Sequence, residues 1–582
     1  MVEYQVMSNS SAVAQQIARG LVRSAVTDVV IAPGSRSAPL VYALAPLAEA
    51  GLIRTHVRID ERDAGFLALG LARGLRAGGA GSAVAVVTTS GSAVANLHPA
   101  VLEASYGHLP LLALTADRPA RLRGTGANQT IDDQAHVLSD VRARCDLPAG
   151  ESRGGVEAAV SESVAAALGR TGGTGAEAAG PVQLNVQFDT PLVPTAAELG
   201  AWKDEVSGSF ERTPVESSRP EVSVTITDGT VIVAGDAGGH PAESLRTLAA
   251  AHHLPVLAEP SSPLAQARGV SSTFVPAHAR VLGERTELRD AIRTVVVHGK
   301  PTLTRPVAAL LADETVTARR LPDDIDALAL SVTDEAIGSD DGAGSDGADC
   351  AASGAAWVRD WIDAGEACLA AARDERTSAR KSTDTGEAAS AQEFQSTARA
   401  VTEYLAAQDV TVFAASSNSV RYLSEATDIR AHIHASRGLA GIDGLVSTAT
   451  GLSLGLDEPV VLLIGDIAML HDIGGLLTPT AEMAGDVTIV VLNDDGGAIF
   501  SGLEHSQPHV AGYLERYFTV PHGRGFAELA AAYGWDYTSV ETAGEFERVL
   551  AGEGNTGVSG PGAADSSAAA GTRRIIEVTR AH

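Results

Sequence analysis

The hydrophobic residues of this chain fall into short unbroken runs, not strict alternations. Val460-Val461-Leu462-Leu463-Ile464 and Val487-Thr488-Ile489-Val490-Val491-Leu492 have strand length, as do Val231-Ile232-Val233-Ala234, Pro255-Val256-Leu257-Ala258 and Thr294-Val295-Val296-Val297. Runs of that kind suit strands covered on both faces, which is the situation in a parallel sheet flanked by helices. The pattern predicts an α/β protein built from doubly wound parallel sheets. Gly180-Pro181-Val182-Gln183-Leu184-Asn185-Val186 reads as the last strand of a first unit, and Asp409-Val410-Thr411-Val412-Phe413-Ala414 and Arg573-Arg574-Ile575-Ile576-Glu577-Val578 as the first and last strands of a third. The organisation expected is a first domain over 1–203, a linker over 204–228 containing Pro214 and Pro220, and a central α/β domain over 229–335. A low-complexity loop with a connecting helix follows over 336–389, then a third domain over 390–582. The stretches 338–356 and 552–571 are Gly, Ala, Ser and Asp with little to bury, and read as loops or insertions.

Two strand ends carry the clearest chemistry. The run ending at Ile464 is closed by Gly465-Asp466, and after 26 intervening residues the next strand ends in Asn493-Asp494-Asp495-Gly496-Gly497. A helix over Ile473 to Met483 is expected to cross back between them. Doubly wound sheets bind ligands at the carboxyl ends of their strands. Oxygen donors beside glycines suit a hard cation that bridges protein to phosphate oxygens. Asp466 and Asp494 would each offer a carboxylate oxygen and Gly496 a carbonyl, to Mg²⁺ or to Mn²⁺. The pair resembles the diphosphate-anchoring signature of thiamine diphosphate enzymes, with one departure: many of those have Gly-Asp-Gly and a paired Asn where this chain has Ile467 and Asp494.

Near the N-terminus, Val57-Arg58-Ile59-Asp60-Glu61-Arg62 opens into the helix-like Ala64 to Gly74, which puts Glu61 at a strand-to-helix junction. An isolated Asp-Glu-Arg there is ordinarily a solvated cap stabilised by the helix dipole. Paired with the Asp466 stretch it resembles the glutamate that bonds the aminopyrimidine ring of the cofactor, which identifies Glu61 as the expected catalytic residue.

Further blocks sharpen the resemblance. Ala32-Pro33-Gly34-Ser35-Arg36-Ser37-Ala38-Pro39-Leu40, Asp60-Glu61-Arg62, Thr115-Ala116-Asp117-Arg118-Pro119, Gly126-Ala127-Asn128-Gln129-Thr130-Ile131, Ser436-Arg437-Gly438, Gly441-Ile442-Asp443-Gly444 and Gly496-Gly497-Ala498-Ile499-Phe500 stand in the order of the 2-succinyl-5-enolpyruvyl-6-hydroxy-3-cyclohexene-1-carboxylate (SEPHCHC) synthase family of menaquinone biosynthesis, which the chain resembles over roughly 10–200 and 395–545. The resemblance implies pyrimidine-binding, central and diphosphate-binding domains. It also implies decarboxylation of 2-oxoglutarate and 1,4-addition of the resulting four-carbon unit to isochorismate. It carries substrate-binding roles to Ser35, Arg36, Arg118, Asn128, Gln129, Arg305, Ser417, Arg421, Arg437, Ile499 and Phe500. Cofactor contacts carry over to Glu61, Ile442, Gly465, Asp466, Asp494 and Gly496, with Ile442 as the apolar wedge that bends the cofactor. Both substrates bear carboxylates, which a planar guanidinium binds through two hydrogen bonds at once. The resemblance further implies a homodimer or homotetramer, with Glu61 of one subunit facing the diphosphate domain of another.

Composition narrows the picture further. At 582 residues, 45% hydrophobic and 20% charged, the chain is long enough for several cores. Its net charge of −29 speaks against nucleic acid or an anionic membrane as partner. Cys145, Cys350 and Cys368 match no metal or disulfide spacing, no signal-peptide pattern opens the chain and no apolar run reaches membrane-spanning length, so the cytoplasm is expected. Gly235-Asp236-Ala237-Gly238-Gly239 lacks the full dinucleotide fingerprint and reads as a plain strand-to-helix turn. Two other readings stand beside the synthase: another thiamine diphosphate carboligase or decarboxylase, which does not need the Arg36, Arg118 and Arg437 set, and an inactive homologue kept as a scaffold.

Overall fold

A computed structural model describes residues 10–170, 178–208, 221–266, 272–334, 347–382, 387–426, 428–552 and 572–580. Every strand pairing in its sheets is parallel. The first sheet holds β1 (Asp28–Ile31), β2 (Arg54–Val57), β3 (Val84–Thr88), β4 (Leu111–Asp117), β5 (Ala143–Leu147) and β6 (Val182–Gln187), in the order β2-β1-β3-β4-β6-β5. Successive residues of its central strands point to opposite faces, so Val29, Ala85 and Leu112 enter one core while Val30, Val84 and Leu111 enter the other. Helices cover both faces, which is why β1, β3 and β4 are largely apolar, while β6 alternates Val and Leu with buried Gln183, Asn185 and Gln187.

The middle of the chain forms β7 (Glu221–Ile226), β8 (Thr230–Ala234), β9 (Val256–Ala258), β10 (Thr294–His298), β11 (Thr317–Arg320) and β12 (Ala329–Asp334). They make a four-stranded sheet, β11-β10-β8-β9, and a separate β12-β7 pair. The third sheet holds β13 (Thr411–Ala414), β14 (His432–Ala435), β15 (Val460–Gly465), β16 (Val487–Leu492), β17 (Asp536–Val540) and β18 (Arg573–Val578), ordered β14-β13-β15-β16-β18-β17. Its order repeats that of the first sheet strand for strand. In both, the direction of winding reverses beside the strand that opens the sheet, between β1 and β3 and between β13 and β15, which marks the carboxyl ends there as ligand sites.

Three expectations need correction. The crossing helix is Asp466–His471, followed by a 3-10 turn at Ile473–Leu476 and irregular chain, instead of a helix over Ile473 to Met483. Gly474 and Gly475 weaken a helix there and Pro479 cannot continue one. The end of the expected linker, Glu221–Ile226, is strand β7, and its alternating Val222, Val224 and Ile226 are the pattern of such a strand. Residues 347–356, expected as loop, begin a helix running Gly347–Ser382, because alanine-rich sequence is good helix sequence. The remainder of the low-complexity readings, 338–346 and 553–571, lies outside the described residues.

The three units meet at buried contacts. Helix Glu61–Ala77 of the first unit crosses helix Leu445–Leu456 of the third at four glycines: a Cβ on Gly70 would lie 2.1 Å from the Thr448 carbonyl oxygen, and one on Gly451 2.2 Å from that of Leu67. Arg73, on the same first helix, reaches into the central unit and binds Asp236 through both terminal nitrogens, at 2.7 and 3.0 Å. The Glu103 carboxylate accepts the N–H groups of Gly438 and Leu439 at 2.7 and 2.6 Å. The Gly235–Gly239 turn belongs to this junction. Cβ atoms at Gly235, Gly238 and Gly239 would strike backbone of Lys300, Gly107 and Arg73, so these glycines admit neighbouring chain where a dinucleotide loop would admit a phosphate.

Candidate active site

Strand β15 delivers Asp466 as the first residue of its helix, where burial pushes the carboxyl upward. Its Oδ2 accepts the Gly496 N–H at 2.7 Å and lies 2.9 Å from His522 Nε2; its Oδ1 accepts the Ile467 N–H at 2.8 Å. Strand β16 ends beside it. Burial, and then the charge of Asp466, push Asp494 up to about 7. Asp495 sits at φ 61° and Gly496 at φ 135°, so the turn folds back sharply; a Cβ at Gly496 would lie 2.3 Å from the Thr519 carbonyl oxygen, a place for glycine alone.

A buried and a half-buried acid side by side, the charge of Asp466 disfavouring that of Asp494, are a pair whose charges a cation would balance. Among the described residues no group of three or more His, Cys, Asp or Glu side chains could enclose a metal. A cation here would rest on two carboxylates and the Gly496 carbonyl, which already accepts the Ala498 N–H at 3.0 Å, with its other ligands brought by a phosphate group. At Gly465 a Cβ would meet nothing within 4 Å, which leaves open space above the strand end for that group. The donor set therefore fits a diphosphate bridged by Mg²⁺.

Glu61 opens helix Glu61–Ala77 behind the Asp60 cap, and its Oε2 accepts from Asn96 Nδ2 at 3.2 Å. No hydrogen bond or ion pair joins it to the Asp466 cluster among the described residues. Ile442, 36% exposed, stands on the loop leading into helix Leu445–Leu456.

The first sheet gathers a second group at the ends of β1, β3 and β4. Arg36 donates to the Phe188 carbonyl at 2.9 Å, and its N–H to Thr89 Oγ1 at 3.3 Å. Arg118 donates to Ser90 Oγ and to the Gln129 carbonyl, while Gln129, held at φ 56°, donates through Nε2 to the Ser90 carbonyl at 2.9 Å. Burial and then the like charge of Arg118 lower the Arg36 pKa, a strain that an anionic ligand would relieve. Ser35 and Asn128 are exposed on the flanking loops.

A third group forms where the central and third units meet. Arg437, 6% exposed, donates to Ser416 Oγ at 3.1 Å and to Thr302 Oγ1 at 2.9 Å. Surrounding protein and then the Arg437 charge lower the Arg421 pKa, although much of Arg421 remains open to solvent; Ser417 precedes its helix. Arg305 stands apart, 86% exposed and paired with Glu504 at 3.1 Å. Ile499 and Phe500 lie in a 3-10 turn, the Phe500 ring 5.7 Å from that of Phe518.

Several members of these clusters were not anticipated from sequence. His522 and Arg580, which donates to the Asp494 carbonyl at 2.6 Å, come from far along the chain. Buried Glu577 ties Asn493 to Phe526 and Tyr537. The glycine-rich Pro521-His522-Gly523-Arg524-Gly525 is the one local sign that a loop there must fold tightly.

Residues 11–137 match the family model described as the thiamine pyrophosphate enzyme N-terminal TPP binding domain, and residues 416–557 that of the C-terminal TPP binding domain. The chain is 41% identical, over 92% of its length and 91% of the relative's, to the 2-succinyl-5-enolpyruvyl-6-hydroxy-3-cyclohexene-1-carboxylate synthase of Renibacterium salmoninarum. It belongs to the SEPHCHC synthase family. Proteins of the same name in Paenarthrobacter aurescens, 39% identical over 91% of this chain and 90% of the relative, and in Kineococcus radiotolerans, 40% identical over 93% of each, agree. This SEPHCHC synthase family member is thus an enzyme that uses thiamine diphosphate, and neither the scaffold reading nor a different thiamine diphosphate activity fits the relatives. No helix among the described residues is long and apolar enough to cross a membrane.

Proposed function

We propose that this enzyme decarboxylates 2-oxoglutarate and adds the four-carbon unit to isochorismate, giving SEPHCHC and carbon dioxide. Beyond family membership, the reading rests on Arg36 and Arg118 gathered with Ser90 and Gln129 at the ends of β1, β3 and β4, a pair of guanidinium groups suited to carboxylates. Thiamine diphosphate, when bound, supplies the carbon nucleophile and the electron sink for loss of carbon dioxide. Asp466, Asp494 and the Gly496 carbonyl would hold Mg²⁺, or Mn²⁺, for the diphosphate, with open space at Gly465. Glu61 would bond the aminopyrimidine ring of the cofactor and hold a proton there. Ile442 would give the cofactor apolar support.

The arginines bind and orient the two acidic substrates. Arg36, Arg118 and Gln129, with Ser35 and Asn128 at the rim, form one wall; Arg437, Arg421 and Ser417 form another, and Ile499 and Phe500 supply apolar cover. Arg305 joins only by leaving Glu504, an exposed pair that costs little to break. The family resemblance supports an active site shared between subunits of a homodimer or homotetramer. The cytoplasm is the expected compartment.

The deciding experiment follows isochorismate by its ultraviolet absorbance with thiamine diphosphate, Mg²⁺ and 2-oxoglutarate. Loss of signal in the complete mixture, and none without 2-oxoglutarate, is expected. Carbon dioxide released from 2-oxoglutarate while isochorismate persists would show the acceptor to be wrong.

A further inference from the structure

The central unit contributes one buried acid with no role so far. Glu259 follows β9, is 1% exposed, and accepts the Leu303 N–H on Oε1 at 2.5 Å; its Oε2 is buried without a hydrogen-bond partner. Leu303 adjoins Thr302, whose hydroxyl oxygen receives Arg437 Nη2. Arg437 is held at its two terminal nitrogens by the neutral hydroxyls of Thr302 and Ser416, while its buried Nε has no partner and no carboxylate forms an ion pair with it among the described residues.

That arrangement is informative because a direct Glu259–Arg437 pair would be the simplest way to bury both charges. Such a pair would also neutralise the guanidinium and compete with any incoming carboxylate. Here the acid is set one step back. It grips the backbone of the strap that carries Thr302, close enough for the Arg437 charge to act on it, without occupying the guanidinium's own hydrogen bonds.

We propose that Glu259 is a positioning residue for Arg437: it clamps the Thr302–Leu303 strap so that the Thr302 hydroxyl aims the guanidinium at a substrate carboxylate. This rests on the substrate-binding role given to Arg437 above, and it assigns the central unit a part in substrate recognition.

The test uses the full chain loaded with thiamine diphosphate and Mg²⁺. Glu259→Gln keeps an oxygen acceptor for the Leu303 N–H and should retain KM near that of the parent. Glu259→Ala should raise KM for 2-oxoglutarate or isochorismate about tenfold, the scale of one lost hydrogen bond to a charged group, with kcat and cofactor affinity little changed. Thr302→Val, which removes the hydroxyl and leaves the clamp, should reproduce that rise even if Glu259→Ala folds poorly. In Glu259→Ala/Arg437→Ala the loss in kcat/KM should equal that of Arg437→Ala alone. Additive losses, or a fall in kcat at unchanged KM, would overturn the proposal while leaving the role of Arg437 intact. Unchanged KM values in Arg437→Ala would overturn both.

Discussion

Replacing Gly451 with alanine puts a methyl carbon 2.2 Å from the Leu67 carbonyl oxygen and 2.8 Å from the Leu71 nitrogen. Both are helix backbone, so no side chain can swing aside. Restoring an ordinary contact of about 3.5 Å requires the helices Glu61–Ala77 and Leu445–Leu456 to part by about 1 Å. In a solitary helix the change would stabilise by about 1 kcal/mol, since alanine is the better helix former. Overpacking of this kind costs about 1–3 kcal/mol, so the net effect is a loss of up to about 2 kcal/mol. Activity should suffer more than stability. Glu61 opens one helix and the Ile442 loop leads into the other, so the separation displaces two groups assigned to cofactor contact; a 1 Å misplacement can cost about a hundredfold in rate. Thermal melting and steady-state turnover of Gly451→Ala, beside the control Gly544→Ala, whose Cβ meets nothing within 4 Å, separate the two effects. A raised melting temperature with turnover intact in Gly451→Ala would show that the crossing tolerates a methyl group, and the argument from close packing would fail.

Three other outcomes follow from the site. Glu61→Gln should bind thiamine diphosphate with nearly parental affinity, by calorimetry, and lose most of its turnover; full activity would remove the role assigned to Glu61. Asp494→Asn should remove a carboxylate whose charge burial and Asp466 disfavour and so stabilise the cofactor-free protein, while weakening retention of thiamine diphosphate and Mg²⁺ on gel filtration; tighter retention would contradict the ligand assignment. Asp63 and Asp472 have buried Oδ1 atoms lacking partners; burial and then the charge of Asp60 push Asp63 up to about 6, and burial and then the charge of Asp63 push Asp472 up to about 7. A raised folded-state pKa means stability that is complete below the ordinary aspartate value of 3.8 and is lost as pH rises through the elevated values. Urea unfolding compared between the parent and Asp472→Asn should therefore show the parent losing stability relative to the variant as pH rises from about 4 toward 7, and equal slopes in the two proteins would sink the linkage.

What the sequence disclosed, and what it hid, follows from how far each group acts along the chain. Val460–Ile464 and Gly465-Asp466 were readable together because strand, close-approach glycine and acid are adjacent in one stretch, and the Asn493–Gly497 turn repeats that economy. The parallel α/β architecture was readable for a related reason: most strands covered on both faces are unbroken apolar runs, although β6 alternates Val and Leu with buried Gln183, Asn185 and Gln187. His522, Glu577 and Glu259 left no such trace. Each acts on a partner between 44 and 84 residues away, and at that distance a histidine or glutamate looks like any other polar residue. The helix mislaid at Ile473 to Met483 shows the converse error, in which apolar residues on either side of Gly474-Gly475 suggested a continuous face that two glycines and Pro479 do not sustain. The same reasoning explains the central unit. Its strands could be recognised by their own composition, but the use of Glu259 depends on Thr302, Leu303 and Arg437 meeting in space. A residue that works by holding a neighbour's backbone needs only to be an acceptor of the right length, and its role is visible only once the neighbour is in place.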